Sequence, residues 1–221
     1  MATAPVAAGP DEPAAAAPGA QAAPSDPETT FGALERDLLR DPLHLRFDIT
    51  AEGSVEVSLV GELHLDAEVE LSARGRFAGE DHELHLWTEG DRLRLGPVDA
   101  PTLDVPRPPE LAPALVVGLT RMGLLHNLAM LVAGVGPDHA DGGVADWVAT
   151  VEHHRPSPPP AEGDALTFGL VVSGQPSGRA TLWLDAQGMP LRREQVVDFP
   201  DGQMRVVERY EVLSSVRPGG G

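Results

Sequence analysis

Cysteine is missing from this 221-residue chain. That excludes disulfides, thiolate-bound zinc, a cysteine nucleophile and acylation at a lipoprotein cysteine for the sequence as it stands. Lysine is missing as well. All 16 basic residues are arginine, against 34 Asp plus Glu, for a formal charge of -18. An acidic chain without a basic block repels phosphate backbones, which argues against nucleic acid as a partner. Anionic membrane surfaces are disfavoured by charge for the same reason. Catalytic signatures are also lacking. There is no G-x-S-x-G and no H-E-x-x-H, and "GPVDAP" is no phosphate loop. No enzyme and no cofactor are therefore expected. Met1 is followed by Ala, Pro and Gly with neither a basic nor an apolar stretch, so no signal peptide is read. The expected location is periplasmic or outer-membrane-associated if a signal has been removed, and cytoplasmic if the chain is native as given.

What the chain does have is 42% hydrophobic residues, enough for one domain with a real core. Residues 1–30 are rich in Ala and Pro and show no periodicity, so a disordered tether is expected there. A single domain is expected over 31–216, with a Gly tail at 217–221. "FGALERDLLRD" predicts a short helix capped by Thr29 or Thr30, with Phe31, Leu34, Leu38 and Leu39 on one face. Period-two segments follow. Val55, Val57, Leu59, Leu63 and Leu65 oppose Glu56, Ser58, Glu62 and His64. Val69, Leu71, Ala73 and Phe77 oppose a charged set, and Leu84, Leu86, Leu93 and Leu95 flank a Gly-Asp turn. This alternation is half-buried antiparallel sheet. Residues 97–110 are Pro-rich and read as a break in it.

The stretch 110–136, "ELAPALVVGLTRMGLLHNLAMLVAGVG", reads as helix, apolar almost all round and divisible at Gly118 and Gly123. Its length approaches the roughly 20 residues of a membrane span. Arg121, His126 and Asn127 stand mid-segment, however, and an arginine there costs about 2.5–3.5 kcal/mol on insertion scales. A buried helical pair is the reading taken. After a loop, strands resume at 147–154 and return at 165–173, 179–185, 190–199 and 203–213, joined by short turns such as "PDG". Nine or ten strands sharing one apolar face must curl. The expected fold class is α+β: a curled antiparallel sheet, an unclosed β-barrel, with a short N-terminal helix and the apolar insert covering the concave face. Such a barrel either fills itself or leaves a cavity.

One hairpin pair bears on family. In "GRATLWLDAQGMPLRREQVVDFPDGQMRVVERYEVL", a strand ends at Leu184-Asp185. The turn Gly188-Met189-Pro190 follows, then charges alternate at Arg192-Arg193-Glu194, and Tyr210 stands near the end of the last strand. With the order of elements over residues 31–216, this resembles the LolA/LppX-type lipoprotein-carrier superfamily. The resemblance implies an unclosed barrel that encloses acyl chains, and a non-enzymatic carrier of lipid or lipoprotein in the bacterial envelope. An acyl lipid or lipoprotein is the implied ligand, an envelope protein a further partner, and a monomer the expected state. Leu115, Leu119, Met122, Leu125, Met130 and Leu131 of the insert, with Phe168, Leu182 and Phe199 of the sheet, are the candidate lipid-binding residues. A dry core plug is the competing reading for the insert. The alternative function is a protein-interaction module acting through sheet edges or the Pro-rich N-terminus.

Metal sites find little support. His82 and His85 point to opposite faces of a strand, His153 and His154 likewise diverge, and Asp138-His139-Asp141 reads as a solvated loop. Trp87, Trp147, Trp183 and Tyr210 either pack, rim the outer face or line a ligand entrance.

Overall fold

A computed structural model describes residues 26–135, 143–154, 163–200 and 202–215. The expected tether before residue 26, the Gly tail and the Asp138-His139-Asp141 loop lie outside these residues. Helix α1 (Pro27–Arg40) starts earlier than the sequence suggested. Asp26, not a threonine, is its cap: the carboxylate accepts from Thr29 N at 2.9 Å and from Thr29 Oγ1 at 2.6 Å. Aspartate is the stronger cap, and Pro27 suits the first helical position, where no backbone donor is needed. The buried face carries Phe31, Leu34 and Leu38, and also Glu35, whereas Leu39 is 41% exposed.

Eleven strands follow among the described residues, all in one antiparallel sheet. They are β1 (Leu43–Gly53), β2 (Val57–Leu65), β3 (Val69–Phe77), β4 (Glu80–Glu89), β5 (Arg92–Leu95), β6 (Leu103–Pro106), β7 (Val148–His154), β8 (Ala165–Val172), β9 (Gln175–Leu184), β10 (Pro190–Phe199) and β11 (Gly202–Ser215). Their order across the sheet is β6-β5-β4-β3-β2-β1-β11-β10-β9-β8-β7. Two segments depart from the sequence reading. Residues 43–53, where no strand is read, form the central strand, bonded on one side to β2 and on the other to β11. The Pro-rich stretch contributes β6, which a proline at its end permits because an edge strand leaves one side unbonded.

The topology explains the cover. One meander runs outward from the centre to β6, and a second runs back from β7 to the centre. The two outermost strands are not bonded to each other, so the barrel is open. The chain between them must pass from one edge to the other. It does so as α2 (Leu111–Val117), a π-helical turn (Gly118–Met122) and α3 (Leu124–Val132). The apolar faces of sheet and insert meet in one core that includes Phe47, Ile49, Leu71, Leu115, Leu119 and Leu128. Burial of each such side chain stabilises by about 1.5–3 kcal/mol. Irregular register in β8 at Leu170/Val171 and in β7 at Ala149/Val151 adds twist to the curled edge. Helix α1 lies against β7, with Thr30 Oγ1 3.5 Å from His153 Nε2. Among the described residues, no helix is long and apolar enough to cross a membrane.

Candidate functional site

The insert is broken at Gly123, and the break is held by charges from the sheet. Arg193 on β10 and Glu208 on β11 are partners in register and both are fully buried. The last two carbonyls before Met122 accept from Arg193: Nη1 donates to Thr120 O at 2.7 Å and Nη2 to Arg121 O at 2.8 Å. The first amides of α3 donate to Glu208, Leu124 N and Leu125 N each at 2.9 Å. A guanidinium thus meets a carbonyl end and a carboxylate meets an amide end, as helix-end groups and dipoles require. Tyr210 completes the set by donating to Glu208 Oε2. Burial, reinforced by the Glu208 charge and hydrogen bond, pushes the Tyr210 phenol well above its usual range. Burial also draws the Arg193 guanidinium down, while Glu208 and Tyr210 oppose that change. A second buried pair ties α1 to the insert. Arg121 Nε and Nη2 donate to the two oxygens of Glu35, each at 2.6 Å, and Thr120 Oγ1 donates to Glu35 Oε1 at 2.9 Å.

Between α3 and the sheet lies a cavity of about 350 Å³, at the small end of the roughly 300–1,000 Å³ typical of ligand pockets. It sits at the end of the sheet where the β1–β2, β3–β4, β8–β9 and β10–β11 turns gather, because Val55, Phe77, Val172, Phe199 and Met204 all stand beside those turns and all line it. Met122, Leu125 and Ala129 form the roof. Among the described residues, the wall is apolar apart from His126, Trp147 and Gln195, with the His126 and Trp147 rings 6.2 Å apart. Phe199 is 42% and Val172 49% exposed, so the rim is greasy where it meets water. A larger hollow, about 470 Å³, lies on the outer face among Arg46, Glu62, Glu70 and His85. Those groups already pair with one another, Arg46 with Glu62 at 3.2 Å and His85 with Glu70 at 2.8 Å. The hydrogen bond from His44, with Arg46 next, holds the Glu62 carboxyl below its usual range. The inner cavity is the better candidate, since its apolar wall gains most from being covered.

In fold, the chain is similar to solved LppX- and LolA-type structures. The lipoprotein LppX of Mycobacterium tuberculosis matches with a TM-score of 0.41 and 10% identity, over 89% of this chain and 99% of that one. LprF of Mycobacterium bovis gives a TM-score of 0.39 and 10% identity, over 90% and 99%. A LolA superfamily protein of Nitrosomonas europaea gives 0.33 and 8%, over 83% and 91%. No family model matches the chain, and no curated protein sequence does. Likeness of this degree carries no residue and no activity from one chain to another.

Of the nine residues singled out in the sequence, Met122, Leu125 and Phe199 line the cavity. Leu115, Leu119, Leu131, Phe168 and Leu182 are buried in the core cluster and do not line the cavity. Met130, also on α3, is half-buried and does not line the cavity. Several wall residues escaped the sequence reading, among them Ala129, Gln195 and Met204, whereas Trp147, read as a residue that packs or lines a ligand entrance, does line the cavity. A signal existed for one of them: Gln195 shares strand parity with the apolar Val197 and Phe199, which places it on the inner face. The other aromatics separate cleanly. Trp87 stacks on His85 at 4.7 Å on the outer face, and Trp183 lies under Arg192. Tyr210 is buried. Glu152 and Glu194 stand on different strands, each beside its own arginine, Arg179 and Arg205. Among the described residues, no three His, Asp or Glu side chains are placed to hold a metal ion.

Proposed function

We propose that this protein is a non-enzymatic lipid-binding carrier. It holds an acyl chain between α3 and the concave face of the sheet, and it works in the bacterial envelope, as the sequence resemblance implies. The observation that carries this reading is the apolar cavity, whose wall is continuous with an exposed apolar rim at Val172 and Phe199. A dry plug would leave no such space, and a solvated groove would not be lined by Met, Leu, Val and Phe. Methionine at the roof suits a wall that adapts to a flexible chain. The insert is held by buried charges at its middle as well as by its apolar core contacts.

The test is retention and uptake. Native mass spectrometry of purified protein should show acyl species bound, and a fluorescent fatty acid should bind saturably at one site. Ala129→Trp fills the roof and should abolish uptake with an unchanged melting temperature. Saturable uptake that Ala129→Trp leaves intact, or none in the parent protein, would remove the proposal.

A further inference from the structure

Among the described residues, Gln195 is the one side-chain amide on the cavity wall, and its orientation is not free. The residue is 6% exposed on the inner face of β10. Its Oε1 accepts from Arg193 Nη2 at 2.8 Å and from Arg193 Nε at 3.1 Å. Those are the hydrogen bonds its side chain makes among the described residues. A guanidinium offers donors and no acceptor, so only the amide oxygen can face it. Arg193 cannot turn aside, because its Nη1 and Nη2 are committed to the carbonyls of Thr120 and Arg121. The amide is therefore locked with Nε2, a donor of two hydrogens, as the end left to face the cavity. An amide donor in an apolar space is costly until an acceptor reaches it.

We infer that Gln195 selects what the cavity accepts: its Nε2 donates to the carbonyl oxygen of an acyl group, so the site prefers acyl esters or acids to plain hydrocarbon. This rests on the reading of the cavity as an apolar-ligand site and adds the ligand's polar end to it. The geometry also sets depth. Gln195 lies two and four residues inward of Val197 and Phe199 along β10, so the carbonyl is drawn in past the rim.

The experiment uses the full chain and N-phenyl-1-naphthylamine, a neutral fluorescent probe of apolar sites. Methyl octanoate, octanoic acid and decane are titrated to displace it. Gln195→Glu keeps an oxygen toward Arg193 and replaces the donor by an acceptor. Gln195→Met removes both at similar length. In the parent protein at least one acyl ligand should be favoured over decane. In both variants the acyl-to-decane ratio should shrink by about fivefold, the scale of one hydrogen bond. A response from the ester alone assigns the carbonyl to an ester lipid, and one from the acid alone to a free fatty acid. If the variants still bind the probe with the ester-to-decane and acid-to-decane ratios unchanged, the selector role is wrong and the cavity stands. If the parent protein does not bind the probe at all, the cavity reading fails and the selector fails with it.

Discussion

Gly123 stands between two buried charges of opposite sign, and its lack of a side chain is what allows them there. Its φ is +91°, and a Cβ would lie 2.8 Å from Glu208 Oε1 and 3.2 Å from Arg193 Nε. Gly123→Ala should therefore lower stability by about 1–3 kcal/mol, read from the urea midpoint. Arg193→Met is the harsher change, since it leaves Glu208 charged and two carbonyls unmet. Breaking a buried pair costs about 3–5 kcal/mol, and the same denaturation curve checks it. Replacing both Arg193 and Glu208 by Met should cost less than the two single losses added together. The phenol of Tyr210 gives a pH signature. Its pKa is raised in the folded state above the ordinary 10, so the folded protein holds this proton more tightly than the unfolded chain does. Its contribution is complete below about pH 10 and is lost as pH rises beyond that. Tyr210→Phe should flatten the alkaline limb of the stability curve; an identical limb in the variant would show that Tyr210 does not cause it. None of these roles can be read from residue type alone. Arg193 and Glu208 look like ordinary alternating charges until strand parity is counted. Val206 and Tyr210 then place Glu208 inside, and Val197 and Phe199 do the same for Arg193.

At the level of elements, the insert is pinned at its middle and at its approach to α1. The Arg121 that argued against a membrane span is buried against Glu35 rather than facing lipid. Glu35→Gln should loosen α1, because one oxygen facing the guanidinium becomes a donor. Hydrogen exchange over residues 31–40 should then quicken while β2 and β3 keep their protection. Equal quickening everywhere would mean that the pair supports the whole fold, not this contact. The elements themselves were largely legible, because period-two alternation survives in every strand with one wet face. β1 alternates as well, with Leu43, Leu45, Phe47, Ile49 and Ala51 buried, but it follows a helix directly at Pro42. β6 was hidden by Pro106 and the prolines that flank the strand. The π-helical turn is bounded by the two marked glycines, Gly118 and Gly123, but its type had no sequence mark; an added Cβ at Gly118 would strike the Asn127 amide. That close approach depends on tertiary packing, which periodicity does not encode.

At the scale of the whole molecule, the proposed function rests on where the chain crosses. Two meanders meeting at the centre require a link between the two outer edges, and the apolar insert that makes it packs into the same core as the apolar face of the sheet. The open barrel and its cover were readable from the order of strand and helix patterns. The cavity's position was not, since it depends on which turns gather at one end. The most direct test of the carrier account is methyl NMR on protein labelled at the methionine ε-carbons, titrated with dodecanoic acid. Met122 and Met204 line the cavity, while Met189 is buried elsewhere. The account expects saturable shifts and contacts from the acyl chain at Met122 and Met204, with Met189 unmoved. Binding that leaves Met122 and Met204 silent, or no binding at all, would contradict it.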